Sequence, residues 1–113
     1  YLDGRIALYL NFDVGKAEIK PEFESTIDKI FDLMRADKNL YMRIEGHTDN
    51  VGITKTNQRL SEQRARAVMG ALVRRGMDPQ RLMAMGLGPR RPIESNLTAA
   101  GRARNSRVEL VRR

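Results

Sequence analysis

One arginine occupies a position where the sequence pattern calls for an apolar side chain. A helix is predicted from about Asn57 to Arg75, and Leu60, Val68 and Leu72 share one face of it. Arg64 lies midway between Leu60 and Val68 on that same face. A guanidinium group cannot give up its charge, so near a core it needs an anionic partner with good geometry. The spacing therefore marks Arg64 as the residue with the most specific chemistry.

Two interpretations of Arg64 stay open at this point. In the first, the arginine forms a structural ion pair within the chain, with Asp49 or Glu109 as its partner. In the second, its planar fork of N–H donors holds a carboxylate or phosphate group of a ligand. Arg64 is about two turns into the predicted helix, near the end that follows the loop containing Asp49.

The other polar residues indicate no catalytic constellation. Asp49 lies in a turn-forming sequence, where aspartate commonly accepts hydrogen bonds from the backbone. His47 is the only histidine, and we expect a partly exposed structural residue at a strand end. No nucleophile pattern accompanies it, and Gly86-Leu-Gly88 lacks the remaining residues of a phosphate-binding loop. We predict a domain that is not an enzyme and that holds neither a metal nor a cofactor.

The charge is unevenly distributed along the chain. Its 113 residues have a formal net charge of +7, yet residues 1–58 carry eight basic and ten acidic side chains. Residues 59–113 carry thirteen basic side chains, all arginine, against four acidic ones. The arginine-rich second half of the chain predicts an anionic partner: nucleic acid, phosphate, or a polymer bearing carboxylates. All six aromatic residues precede residue 42, which weakens the nucleic-acid interpretation because single-strand binders stack bases on aromatic rings.

Length and periodicity predict one compact α/β domain over residues 1–113. The chain lacks cysteine and any apolar run long enough for a transmembrane helix, and because it begins with Tyr1 we expect a domain of a longer protein. The predicted order is β-α-β-α-β-(turn)-β, with parallel crossovers between the first three strands. The predicted elements are a strand Arg5–Asn11, a helix from Pro21 to near Asp37, a strand from Leu40 to Gly46, a helix Asn57–Arg75, a helical turn at Asp78-Pro79, a strand Leu82–Met85, a turn capped by Thr98 and a strand Ser106–Val111.

Two adjacent motifs resemble a known family. The first is Ile44-Glu-Gly-His-Thr-Asp-Asn-Val-Gly52, and the second is Asn57-Gln-Arg-Leu-Ser-Glu-Gln-Arg-Ala-Arg-Ala-Val68. Together they resemble the OmpA C-terminal-like domain, whose pattern is G-[HY]-T-D-x-x-G followed by N-x-x-L-S-x-x-R-A-x-x-V. The flanking segments are similar as well, from Asn11-Phe-Asp13 to Asn105-Ser-Arg-Val-Glu-Leu110, so the resemblance covers nearly the whole chain.

The resemblance implies a particular fold and cellular location. Domains of this family bind peptidoglycan non-covalently in the periplasm of the Gram-negative envelope, so we expect an outer-membrane-associated parent protein. The implied fold is an α+β sandwich in which two main helices pack on one face of a mixed four-stranded sheet. Its last strand lies antiparallel between the first two. The start of that strand should therefore meet the ends of the first two strands and the first turns of the long helix.

The resemblance also implies a ligand, the diaminopimelate residue of the peptidoglycan stem peptide. Asp49 would pair with its ammonium group or with the adjacent amide, and Arg64 would hold its carboxylate. Arg107 would add a second cation, Thr48 and Asn57 would supply hydrogen bonds, and Asp13 is a weaker candidate. The family often has arginine where Ser106 stands. Beside this function, a basic module that binds nucleic acid or phosphate is the alternative, and an enzyme acting on the cell wall is a more remote one.

Overall fold

A computed structural model describes residues 5–113, with side chains from residue 9 onward. Residues 1–4, which the predicted domain includes, lie outside the described part. The observed elements are β1 (Arg5–Asn11), a 3₁₀ helix Pro21–Phe23, α1 (Glu24–Ala36), β2 (Met42–Gly46), α2 (Thr54–Arg74), a 3₁₀ helix Pro79–Arg81, β3 (Leu82–Gly86), α3 (Ala99–Asn105) and β4 (Arg107–Arg112).

The four strands form one mixed sheet in the order β1-β4-β2-β3. β4 runs antiparallel to both β1 and β2, and β2 runs parallel to β3. The first three strands thus share one direction, as the alternation of strands and helices predicts. The insertion of β4 between β1 and β2 agrees with the fold implied by the resemblance.

The core lies between one face of the sheet and helices α1 and α2. Alternate residues of the strands point toward the helices, because successive side chains of a strand face opposite sides. The fully buried core side chains of strands and helices include Leu10, Ile27, Ile30, Met34, Met42, Ile44, Val68, Leu72, Val108 and Leu110. Among the described residues, no helix combines the length and apolarity needed to cross a bilayer.

The ends of the elements differ from the predicted ones for local reasons. β2 begins at Met42 instead of Leu40, because the Leu40 N–H donates to the Asp37 carbonyl at 3.1 Å and keeps the preceding residues in a turn. The cap at Thr98 is confirmed: its Oγ1 accepts the Gly101 N–H at 2.9 Å. The turn that it begins continues as the seven-residue helix α3.

Gly46 allows close contact between β2 and α2. A Cβ atom at this position would lie 1.9 Å from the backbone oxygen of Ser61 in α2. Since neither backbone can move without disturbing the core, we expect Gly46→Ala to lower the free energy of unfolding by about 2–3 kcal/mol in urea denaturation.

Gly70→Ala is the matched control within α2. A Cβ at Gly70 would meet only the tip of the Arg74 side chain, at 3.3 Å. The control should raise the free energy of unfolding by about 0.5–1 kcal/mol, because alanine is the better helix former. Wild-type stability for Gly46→Ala would contradict the close strand–helix contact.

Candidate functional site

A pocket of about 930 Å³ opens at the edge of the sheet where β1 and β2 end and β4 begins. The Phe12 N–H donates to the Ser106 carbonyl at 3.1 Å, and the His47 N–H donates to the Arg107 carbonyl at 2.8 Å. These bonds bring the ends of three strands together, and residues from the first turns of α2 and from α3 complete the walls. The volume is typical of pockets that hold small ligands.

Five of the six predicted site residues line this pocket. They are Asp13, Thr48, Asp49, Asn57 and Arg64. The structure thus brings together side chains that are separated by as many as 51 positions in the sequence. Their roles toward a ligand stay predictions.

Arg64 joins two loops at the base of the pocket through three backbone carbonyls. Its Nε donates to the Lys16 carbonyl at 2.8 Å, Nη1 to the His47 carbonyl at 3.1 Å and Nη2 to the Asp13 carbonyl at 3.1 Å. The guanidinium carbon lies 5.2 Å from the centre of the Phe12 ring, and the residue is only 1% exposed. The arginine therefore fixes the loop after β1 against the end of β2.

These contacts correct the ion-pair interpretation of Arg64. No carboxylate hydrogen-bonds to it within the described residues, and Glu109 pairs instead with Arg107. Backbone carbonyls take the place of the predicted anion, since they also accept hydrogen bonds from a guanidinium group. Asp49 is close enough to act on Arg64 electrostatically without contacting it directly.

Arg64 keeps both its charge and part of its donor capacity. Burial lowers the pKa of Arg64 from its ordinary value to about 10, and the nearby Asp49 carboxylate opposes that change. The side chain is therefore protonated at neutral pH. A guanidinium group has five N–H donors, and three of them reach carbonyls, one from each nitrogen. One N–H on each terminal nitrogen has no acceptor among the described residues.

The loop after β2 is held in place by its own polar side chains. Asp49 Oδ1 accepts the Val51 N–H at 2.9 Å, which confirms the backbone role expected for aspartate in this turn. The Thr48 hydroxyl donates to the Asp49 carbonyl at 2.8 Å, and Asn57 Nδ2 donates to the Val51 carbonyl at 2.8 Å. Asp49 is partly exposed, and its Oδ2 has no hydrogen-bond partner among the described residues.

Asp13 contributes its backbone more than its carboxylate. The carbonyl accepts from Arg64, whereas the exposed carboxylate pairs with Lys20 Nζ at 3.2 Å. This ion pair satisfies the charge of Asp13 within the loop, in keeping with its lower rank among the predicted residues.

The structure does not bring the Arg107 side chain to the pocket. Val108 faces the helices, so the alternation of β4 turns Arg107 to the opposite face of the sheet, where it is 1% exposed. Its Nε donates to Glu109 Oε2 at 2.7 Å, and its terminal nitrogens donate to the carbonyls of Asn105 and Arg91. The expectation that Arg107 adds a second cation to the cleft is therefore corrected: only its backbone lies at that edge.

His47 belongs to a buried ionic cluster on that opposite face. Its Nε2 lies 3.7 Å from Glu45 Oε1 and 3.9 Å from Glu109 Oε2, and the residue is 1% exposed, so the expectation of a partly exposed histidine is wrong. These three residues have the donor types that hold metal ions. Arg43 and Arg107 already pair with the two carboxylates, so the cluster is explained as a network of ion pairs.

Part of the cationic lining could not be anticipated from motifs. Arg59 of α2, Lys20, and Arg102 and Arg104 of α3 also face the pocket, so five cationic and two anionic side chains line it. Five of the seven residues of α3 line the pocket: Ala99, Ala100, Arg102, Ala103 and Arg104. The capping threonine predicted the helical turn, but its position beside the pocket depends on the tertiary fold.

The family model of the OmpA family matches residues 11–106, and the chain belongs to this family. Outer membrane porin F of Pseudomonas aeruginosa is 42% identical over 106 residues, which is 93% of this chain and 30% of that protein. The peptidoglycan-binding protein ArfA of Mycobacterium bovis is 39% identical over 97 residues, or 86% of this chain and 29% of its own length. The chain thus spans less than a third of the length of these relatives.

The same fold occurs in a solved envelope protein. The peptidoglycan-associated lipoprotein of Burkholderia pseudomallei superposes with a TM-score of 0.90 and 25% identity, over 93% of this chain and 89% of that one. The mixed four-stranded sheet with its helices is therefore shared with that protein. The Pseudomonas aeruginosa relative is an outer membrane porin and the Burkholderia pseudomallei protein is a lipoprotein, which confirms the predicted location in the Gram-negative cell envelope.

Arg64→Lys tests the structural role of the guanidinium group. A lysine retains the charge but cannot direct donors toward three separate carbonyls, so two of the contacts should be lost. We expect the free energy of unfolding to fall by about 2 kcal/mol in urea denaturation.

Arg66→Lys is the matched control, because Arg66 is an exposed residue of the same helix. It should leave the unfolding midpoint unchanged within error. Equal midpoints for both variants would show that the contacts of Arg64 with the loop add no net stability.

Proposed function

We propose that this domain binds peptidoglycan non-covalently through the diaminopimelate residue of the stem peptide, and that it thereby anchors its parent envelope protein to the cell wall. The free end of that residue is a zwitterion with one ammonium and one carboxylate group. A site for it needs one anion and one cation in the same pocket, each with hydrogen-bonding capacity left over.

The observation that supports this proposal most is that Asp49 and Arg64, one anion and one cation, line the same pocket. Asp49 uses Oδ1 for its turn and has Oδ2 left to accept from an ammonium group. Arg64 uses three donors for the backbone and has one N–H on each terminal nitrogen left for a carboxylate. Their structural contacts hold both side chains in position before a ligand arrives, which lowers the entropy lost on binding.

The remaining lining residues suit a polar ligand with an aliphatic chain. Thr48 and Asn57 are buried polar residues that line the same pocket. Val14 and Val51 line the same pocket as exposed apolar side chains, which can contact the methylene groups between the two ends of diaminopimelate.

The relatives support the same proposal. The Mycobacterium bovis relative is named for peptidoglycan binding, and the Burkholderia pseudomallei protein is described as peptidoglycan-associated. The excess of cationic side chains supports it as well, since stem peptides carry carboxylates and a net positive charge speeds encounter with an anionic polymer.

Asp49→Asn should separate the charge of the site from its structure. Asparagine retains an oxygen that can accept the Val51 N–H, so the turn is preserved while the negative charge is lost. We expect binding to isolated sacculi to weaken by about tenfold to a hundredfold in a pull-down titration, which corresponds to one charge-assisted contact. Free diaminopimelate should compete with the wild-type domain.

Asp32→Asn is the matched control, because Asp32 is an exposed residue of α1 away from the pocket. It should bind sacculi like wild type. Wild-type binding by both variants, with unchanged circular dichroism, would contradict the assignment of Asp49.

The arginine-rich half supports nucleic-acid or phosphate binding as a second candidate function. That function predicts binding to a random DNA duplex that collapses as salt is raised. We expect sacculus binding to persist at about 0.2 M salt, where non-specific duplex binding is strongly weakened. Duplex binding at low salt that collapses as salt is raised, together with no binding to sacculi, would favour the alternative. The enzymatic alternative is tested by incubating the domain with labelled sacculi, and we expect no release of soluble labelled fragments.

A further inference from the structure

Three cations on the pocket wall have no acidic partner. Arg59, Arg102 and Arg104 line the pocket, and within the described residues none of them forms an ion pair. Lys20 differs from them, since it pairs with Asp13. Like-charged side chains that converge on one concave surface repel each other, so the wall favours an anion between them.

Two of these cations, Arg102 and Arg104, belong to helix α3, which is tied to the preceding loop. Asn105 is fully buried and accepts the backbone N–H groups of Ile93 and Glu94 at 2.8 and 3.0 Å, which ties α3 to the preceding loop. Arg102 Nη1 donates to the Asn96 carbonyl at 3.0 Å. The neighbouring lining residues of this helix are Ala99, Ala100 and Ala103. Such small side chains leave room for a ligand group to reach the two arginines.

The end group of diaminopimelate does not account for these cations. Its ammonium and carboxylate groups balance each other, and Asp49 and Arg64 match them one for one. Arg59, Arg102 and Arg104 then remain as an excess of positive charge in the same pocket. The volume of about 930 Å³ is near the upper end of the range for ligand pockets, so more of the ligand than this end group fits.

Building on the proposed function, we infer that Arg59, Arg102 and Arg104 form a second carboxylate subsite. It takes the free carboxylate of the acidic residue that precedes diaminopimelate in the stem peptide. The domain thereby distinguishes stems in which this group is a carboxylate from stems in which it is an amide. Arginine suits this task because its N–H fork matches the two oxygens of a carboxylate, whereas a carboxamide presents one oxygen and a competing donor.

A paired ligand series tests the subsite with the whole 113-residue chain. Affinities are measured by titration calorimetry for a synthetic tripeptide, alanyl-γ-glutamyl-diaminopimelate, and for the same peptide with the glutamyl carboxylate amidated. The double variant Arg59→Gln/Arg104→Gln removes two exposed cations and spares Arg102, whose contact with Asn96 supports the loop. The control Arg66→Gln/Arg74→Gln removes two exposed arginines of α2 outside the pocket and changes the net charge equally.

For wild type and for the control variant, we expect the carboxylate tripeptide to bind about threefold to tenfold more tightly than the amidated one at about 0.15 M salt. The ratio should approach one in Arg59→Gln/Arg104→Gln. Equal affinities of wild type for the two peptides would overturn the subsite. An equal loss of the affinity ratio in both double variants would overturn it too, because it would show that the preference comes from long-range attraction. Failure of wild type to bind either peptide or free diaminopimelate overturns the proposed function itself.

Discussion

The site depends on one buried guanidinium group. Arg64 takes a position that would otherwise belong to an apolar core residue, and its N–H groups hold the carbonyls of Asp13, Lys16 and His47. Two loops, each following a different strand, therefore meet at a fixed distance from α2. Without these bonds three backbone carbonyls would lose a strong hydrogen-bond donor. The same contacts hold the remaining N–H groups of Arg64 in position, so under the proposed function stability and binding would rely on one side chain.

Other arginines of the basic half perform similar structural work. Arg81 donates to the carbonyls of Met34, Asp37 and Leu40 and thereby closes the end of α1. Arg75 bridges α2 to two acidic residues of α1, a pairing that raises its pKa. Several charges that suggest an anionic polymer are thus held in contacts within the domain. The net positive charge remains, because carbonyls are neutral, and it can still attract such a polymer over long range.

The sequence predicts the strand and helix order because each element has a clear period or cap. It also predicts the anomaly at Arg64, since a charged residue interrupts an otherwise regular apolar face. It does not predict the partners of Arg64, because any carbonyl in the fold can accept a hydrogen bond and carbonyls have no sequence signature. The ionic cluster around His47 is not foreseen either, because Glu45 and Glu109 become neighbours only through the pairing of β2 with β4.

Two adjacent residues at the junction of α3 and β4 face opposite sides of the sheet. Ser106 lines the pocket, whereas Arg107 faces the ionic cluster on the other side of the sheet. A cation at position 106 would therefore line the pocket, and this chain has a serine there. The Ser106 N–H donates to the Arg102 carbonyl at 3.2 Å, so α3 ends directly beside this position. Arg102 and Arg104 of α3 therefore supply positive charge to the pocket wall from a helix instead of a strand. A change of charge in this helix can alter the pocket without altering the sheet that supports it.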